Sequence, residues 1–176
     1  VLDGFIALDR KEEEKHAVQV SMLAFHVAKE LELDAKTCKE LATAGILHDI
    51  GKMKLLEDYG KKDSLIIEEL RYMRMHSTLG YEALLGKGYS DCILKTILHH
   101  HENYDGSGYP AHLRGEKIPL GARILRICDV YSALRADRLY RKALDMDTAM
   151  GVMIDEVKYF DMKIFLAFQR VVHKME

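Results

Sequence analysis

His48-Asp49-Ile50-Gly51-Lys52 closes an apolar run, Leu41 to Ile50, that has helical spacing. A neutral imidazole and an adjacent carboxylate can both bind a first-row metal ion, and a carboxylate can also bridge two ions. Gly51 is expected to stop the helix. That would hold His48 and Asp49 on rigid backbone at the rim of a core, with Lys52 just beyond them to meet an anion. A His-Asp dipeptide alone at a helix end is more often a polar cap than a ligand pair, so the rest of the chain decides.

Upstream, the pattern predicts a helix from about Glu12 to Leu33, with Val20, Leu23, Ala24, Val27, Ala28 and Leu31 on one side. Glu12 and His16, four apart, share a face and can share a metal or form a surface pair. His26 points elsewhere and reads as an ordinary, partly buried histidine. The second helix opens near Asp34 and directs Cys38, Leu41, Ala42, Gly45, Ile46 and Leu47 to the core.

Downstream, Leu55 to Ser64 reads as a surface loop, and Ser64 with Glu68 and Glu69 as a helix start. That helix carries Leu65, Leu70 and Met73 to His76, and Gly80 is expected to let it bend. A further pattern, Tyr81, Leu84 and Leu85, ends at Gly86 and Gly88. Ser90 caps a helix that runs through Ile93, Leu94, Ile97 and Leu98 into His99-His100-His101-Glu102. Consecutive residues spread around a helix, so at most two of the three imidazoles can converge on one site. Asn103 to Pro119 is a long irregular segment, and an ordered loop of that length is often functional. Pro119 then opens a helix whose stripe of Ile124, Leu125, Ile127, Cys128 and Tyr131 brings Asp129 to its middle. A carboxylate there needs a cation, either Arg or a metal. Arg135, Arg138 and Arg141 follow, and 147–157 and 161–173 read as two amphipathic helices. No strand alternation or repeat appears. The expected fold is all-α, a single-domain bundle of about seven helices across residues 1–176.

The 176 residues are 48% hydrophobic and 31% charged, which excludes a disordered chain. A net charge of -2 excludes a broad basic surface for bulk nucleic acid or anionic membrane, so any phosphate contact must be local. No apolar run approaches the ~20 residues of a membrane span, and no secretory leader pattern is present. A cytoplasmic location is expected. Cys38, Cys92 and Cys128 lack CxxC spacing and read as reduced core thiols. The start at Val1 suggests a piece excised from a longer chain with an N-terminal regulatory region.

Glu12, His16, His48, Asp49, His76, two of His99 to His101, and Asp129 offer six or more nitrogen and oxygen ligands from five helices. Imidazole and carboxylate without thiolate suit Fe, Mn or Zn better than Ca or Mg, and the number suits two or three divalent ions with open positions.

His48-Asp49-Ile50-Gly51-Lys52, His100-His101-Glu102, Asp105-Gly106-Ser107-Gly108-Tyr109-Pro110 and Asp129-Val130-Tyr131-Ser132-Ala133-Leu134 together resemble an HD-GYP domain, the branch of the HD superfamily that hydrolyses cyclic di-GMP. The likeness covers about Glu12 to Phe168. It implies that His16, His48, Asp49, His76, His100, His101 and Asp129 are metal ligands, with Asp49 bridging and His99 outside. It also implies that Glu12 matches the acidic position used for an additional ion, and that iron or manganese is the first choice, with zinc as an alternative. The implied reaction opens cyclic di-GMP to pGpG, with pGpG or GMP as the end product. A hydroxide held between two metals would attack in line while the ions polarise a phosphate oxygen. Lys52 would stabilise the developing charge. Arg138 and Arg141 are candidates for the second phosphate or a guanine, or else form a solvated basic face. Tyr109 would pack on substrate or fix its loop. Implied partners are the cyclic dinucleotide and a diguanylate cyclase (GGDEF) or other signalling protein at the Gly-Tyr-Pro loop, and dimerisation fits such a module.

Two positions depart from the family pattern. Ser132 replaces an Asp, so no carboxylate is available there to order the ligands. Leu139 replaces a proline. They motivate two alternatives: a module that binds cyclic di-GMP or a partner without hydrolysis, and a different HD-type nucleotide phosphohydrolase. The intact ligand set favours an active enzyme.

Overall fold

A computed structural model describes residues 10–52, 66–137 and 141–175, and within them seven α-helices follow one another with no strand. They are α1 (Arg10–Glu30), α2 (Ala35–Leu47), α3 (Ile66–Leu84), α4 (Asp91–His99), α5 (Leu120–Leu134), α6 (Met146–Asp155) and α7 (Met162–Met175), with 3-10 turns at Gly115–Lys117 and Val157–Tyr159. Three starts follow from side-chain caps. Asp34 accepts the Thr37 N–H at 2.8 Å, Ser90 that of Ile93 at 3.3 Å, and Asp145 that of Thr148 at 2.8 Å. The expected Ser64 cap, and the side chains of Leu65, Leu70 and Met73, lie outside the described residues, as do Arg138 and Leu139.

α5 is the axis and packs against α1, α2, α4, α6 and α7. Its Ile124, Leu125, Ile127 and Cys128 are fully buried, joined by Val20, Ala24 and Val27 of α1 and Phe168 of α7. Small residues set the close approaches. A Cβ at Gly45 would lie 2.6 Å from the Ser21 backbone, so α1 and α2 touch where Ser21 also donates to the Ala42 carbonyl at 2.7 Å. At Gly121 a Cβ would overlap Thr96 of α4, which lets α5 meet that helix.

Several local expectations are corrected. Gly51 does not stop a helix. α2 ends at Leu47, the chain turns at His48 and Asp49, and residues 50–52 resume helical backbone. Gly51 is required instead for contact, because a Cβ there would overlap the carbonyl oxygen of His76. α3 is not interrupted at Gly80 and runs to Leu84, so it includes Tyr81 and Leu84, and the missing side chain of Gly80 seats Ile50 against it. Ile46, Leu85 and His26 are exposed, since each faces away from the helices that pack on its own.

Candidate metal centre

Each potential ligand sits where one helix faces the others: His16 on α1, His48 and Asp49 in the turn after α2, His76 on α3, His100 and His101 just past α4, and Asp129 on α5. Two groups result, with ligand atoms mutually within 4.8 Å in each: His16, His48, Asp49 and Asp129, and Asp49, His76, His100 and His101. Asp49 belongs to both. Its Oδ2 lies 3.1 Å from His48 Nε2 and 3.8 Å from His16 Nε2, while its Oδ1 lies 3.3 Å from His76 Nε2 and 3.7 Å from His100 Nε2. Asp129 Oδ1 completes the first group at 2.7 Å from His16 Nε2 and 3.3 Å from His48 Nε2.

The hydrogen-bond pattern around the imidazoles distinguishes ligands from ordinary polar packing. His48 and His100 each donate from Nδ1 to a backbone carbonyl, Gly45 and Ile97 respectively, at 2.6 Å. His16 Nδ1 lies 3.0 Å from Ser132 Oγ, whose own hydrogen goes to Gln19 Oε1 at 2.9 Å, so Ser132 accepts from His16. These bonds engage Nδ1 away from the centre and turn Nε2 toward it, so that a proton on Nε2 is the one a metal ion would displace. Nε2 atoms also crowd one another: His76 lies 3.3 Å from His100 and 3.0 Å from His101. Two ligands about 2.1 Å from one metal, at right angles, lie about 3 Å apart. Both carboxylate oxygens of Asp49 are buried without a hydrogen-bond partner despite the nitrogens around them. Converging ring nitrogens and an unsatisfied carboxylate fit divalent cations, and the donor set is wholly nitrogen and oxygen.

Charge reinforces the arrangement. Burial pushes the His48 pKa down, but Asp49 and Asp129 outweigh it and hold it well above the ordinary value. Burial likewise opposes ionisation of Asp49 and Asp129, yet His48 and Lys52 beside the first, and hydrogen bonds from His16 and His48 to the second, keep both well below the usual carboxylate range. Burial lowers His100 and His101, so both stand neutral and able to coordinate.

The remaining candidates divide. Lys52 Nζ lies 3.1 Å from Asp49 Oδ2 with 17% of its side chain exposed, at the mouth of the site. Tyr109 stacks on His101, with centroids 4.9 Å apart and planes 12° off parallel, and its N–H donates to the His101 carbonyl. Glu12 is turned to Lys15 at 3.6 Å and belongs to neither ligand group. Arg141 donates to the carbonyls of Ala133, Leu134 and Lys142, closing the end of α5.

Two roles escaped the reading of the sequence. Glu102, buried and next to the ligand pair, accepts from the Ala111 and Leu113 amides at 2.9 and 3.0 Å and from His99 Nδ1 at 2.9 Å, and so clasps the loop onto the end of α4. Gln19 and Ser132 order His16. Each lies three residues past a ligand, His16 or Asp129, a helical spacing that could have flagged both.

The chain belongs to the HD domain family, whose profile matches residues 1–164. It is similar to cyclic di-GMP phosphodiesterase PA4108 of Pseudomonas aeruginosa, 38% identical over 89% of this chain and 38% of that protein. It is also similar to 3'3'-cGAMP-specific phosphodiesterase 1 of Vibrio cholerae, 36% identical over 81% of this chain and 33% of that protein. The chain thus spans less than two fifths of the length of these curated relatives. Among solved structures, Bd1817 of Bdellovibrio bacteriovorus, described as an HDG"Y"P protein, superimposes with a TM-score of 0.71 at 21% identity, covering 92% of this chain and 52% of that one. The expected HD-superfamily membership and, among the described residues, the all-helical fold are both borne out.

Proposed function

We propose that this chain is a metal-dependent phosphodiesterase that opens cyclic di-GMP to pGpG and then GMP. The observation that carries the reading is the Asp49 carboxylate set between two groups of imidazole nitrogens, one oxygen toward each. His16, His48 and Asp129 with Asp49 would hold one ion, and His76, His100 and His101 with Asp49 the other. Iron or manganese suits the donors best, and zinc is the alternative. A third ion would have to draw Glu12 away from Lys15. Divalent ions supply polarisation of a phosphate oxygen and a lowered pKa for water. The chain's own residues do the rest. Lys52 meets the charge that grows on the phosphoryl oxygens, and its pKa, lowered by burial but raised more by Asp49, keeps it cationic. Tyr109 and the clasped loop wall one side. Arg138 and Arg141 are the candidates for contact with the nucleotide beyond Lys52. Exposed Pro110, Ala111 and His112 at the loop tip suit contact with a signalling partner.

Supporting the substrate class are relatives named for cyclic di-GMP or 3'3'-cGAMP. The experiment is turnover of both dinucleotides by protein loaded with iron or manganese, compared with His48→Ala and Asp49→Ala. Turnover that both variants abolish is expected. Metal-replete protein inert on either dinucleotide would refute the reading, and binding without turnover would favour a non-hydrolytic sensor.

A further inference from the structure

Arg126 precedes Asp129 by three residues on α5 and so shares the face of the helix that carries the ligand. Its Nε donates to Asn103 Oδ1 at 2.8 Å, and the Asn103 amide in turn donates to Ser107 Oγ at 3.1 Å. Asn103 lies two residues past His101, the ligand on which Tyr109 stacks. The guanidinium is therefore held from behind at the junction of α5, the ligand pair and the loop. Among the described residues its two terminal nitrogens have no hydrogen-bond or ion-pair partner, although the side chain is partly buried. An anchored guanidinium with its fork open is the usual device for binding a phosphate, and an unpaired one this close to a site for phosphodiesters lacks another explanation in the fold.

We propose that Arg126 binds the second phosphodiester of a cyclic dinucleotide, the one that is not cleaved, while Lys52 addresses the first. This rests on the phosphodiesterase reading above. It assigns to α5 a substrate contact fixed by Asn103.

The test compares cyclic di-GMP with bis(p-nitrophenyl) phosphate, which has a single phosphodiester, in wild type, Arg126→Gln and Arg126→Lys at equal metal content. The expected result is a ratio of kcat/KM for the two substrates that falls about tenfold or more in Arg126→Gln, mostly through KM for the dinucleotide, and partial recovery in Arg126→Lys, which keeps the charge. An unchanged ratio, whether from no loss or from equal loss on both substrates, overturns the proposal and leaves the phosphodiesterase reading standing. A Lys variant as impaired as Gln overturns the phosphate assignment in favour of a guanine edge, which needs the fork. Wild type inert on the dinucleotide overturns the reading and the proposal together.

Discussion

Ser132 accepts the Nδ1 proton of His16 at 3.0 Å and passes its own hydrogen to Gln19 at 2.9 Å. A hydroxyl thus does what a carboxylate would do at this position, with one less negative charge beside the metal centre. Removing it leaves a buried imidazole N–H without an acceptor and its ring free to turn. Ser132→Ala should weaken metal binding by about 10- to 100-fold, the usual effect of losing such an orienting partner. Ser132→Asp should retain affinity. Titration of metal-free protein with Mn2+ measures both, and equal affinity in wild type and Ser132→Ala would show that His16 needs no orientation.

Metal and proton compete for His48. Its pKa is held well above 6.5 by Asp49 and Asp129, against burial, which favours the protonated ring in the metal-free protein. Binding should release that proton, and apparent affinity should rise with pH until His48 is deprotonated in the free protein as well. The stability that the raised pKa contributes is fully present below about 6.5 and is lost as pH climbs through the folded value. The contribution of Asp49 and Asp129 has the opposite sign, being present above about 3.8 and lost as pH falls through their depressed values. Calorimetry in buffers of different ionisation heat reads the released proton, and no buffer dependence at pH 7 would contradict this assignment.

Gly51 meets the His76 carbonyl so closely that a methyl group has nowhere to go. Gly51→Ala should cost about 1–3 kcal/mol, as overpacking does. It should also displace His76 and reduce metal content. Thermal melting with metal analysis checks both, and a variant with unchanged Tm and two bound ions would refute the contact.

Glu102 accepts from two loop amides and from His99 while fully enclosed. Glu102→Gln replaces one acceptor oxygen with a donor and should cost about 1–3 kcal/mol. Hydrogen exchange at Ala111 and Leu113 should accelerate well before that of the α5 core. Unaltered exchange there would mean that the loop is held by something else.

Much of this was open to reading in the primary structure, and the reasons differ by residue. Asp34 and Ser90 announce helices because an N-cap is local chemistry, decided by the next three residues. His16, His48, His76, His100, His101 and Asp129 could be assembled because a recurrent motif spans the chain, although no spacing rule alone joins α1 to α5. Ser132 was misjudged for the same reason: taken singly it is a lost carboxylate, and only packing reveals Gln19 behind it. Gly51 looked like the end of a helix and Gly80 like a place to bend, and both also allow close approach between segments far apart in sequence, which local propensity does not encode. Arg126 gave no signal at all, since an arginine three residues before a ligand is ordinary until Asn103 is seen to hold it.

The central claim is that Asp49 joins two metal sites. Anomalous scattering from a crystal of the metal-loaded protein, with elemental analysis of the same sample, tests it most directly. The prediction is two peaks, one beside His16, His48 and Asp129 and the other beside His76, His100 and His101, with one oxygen of Asp49 toward each, and loss of both ions in Asp49→Ala. A single ion, or two ions that survive removal of the Asp49 carboxylate, would contradict it.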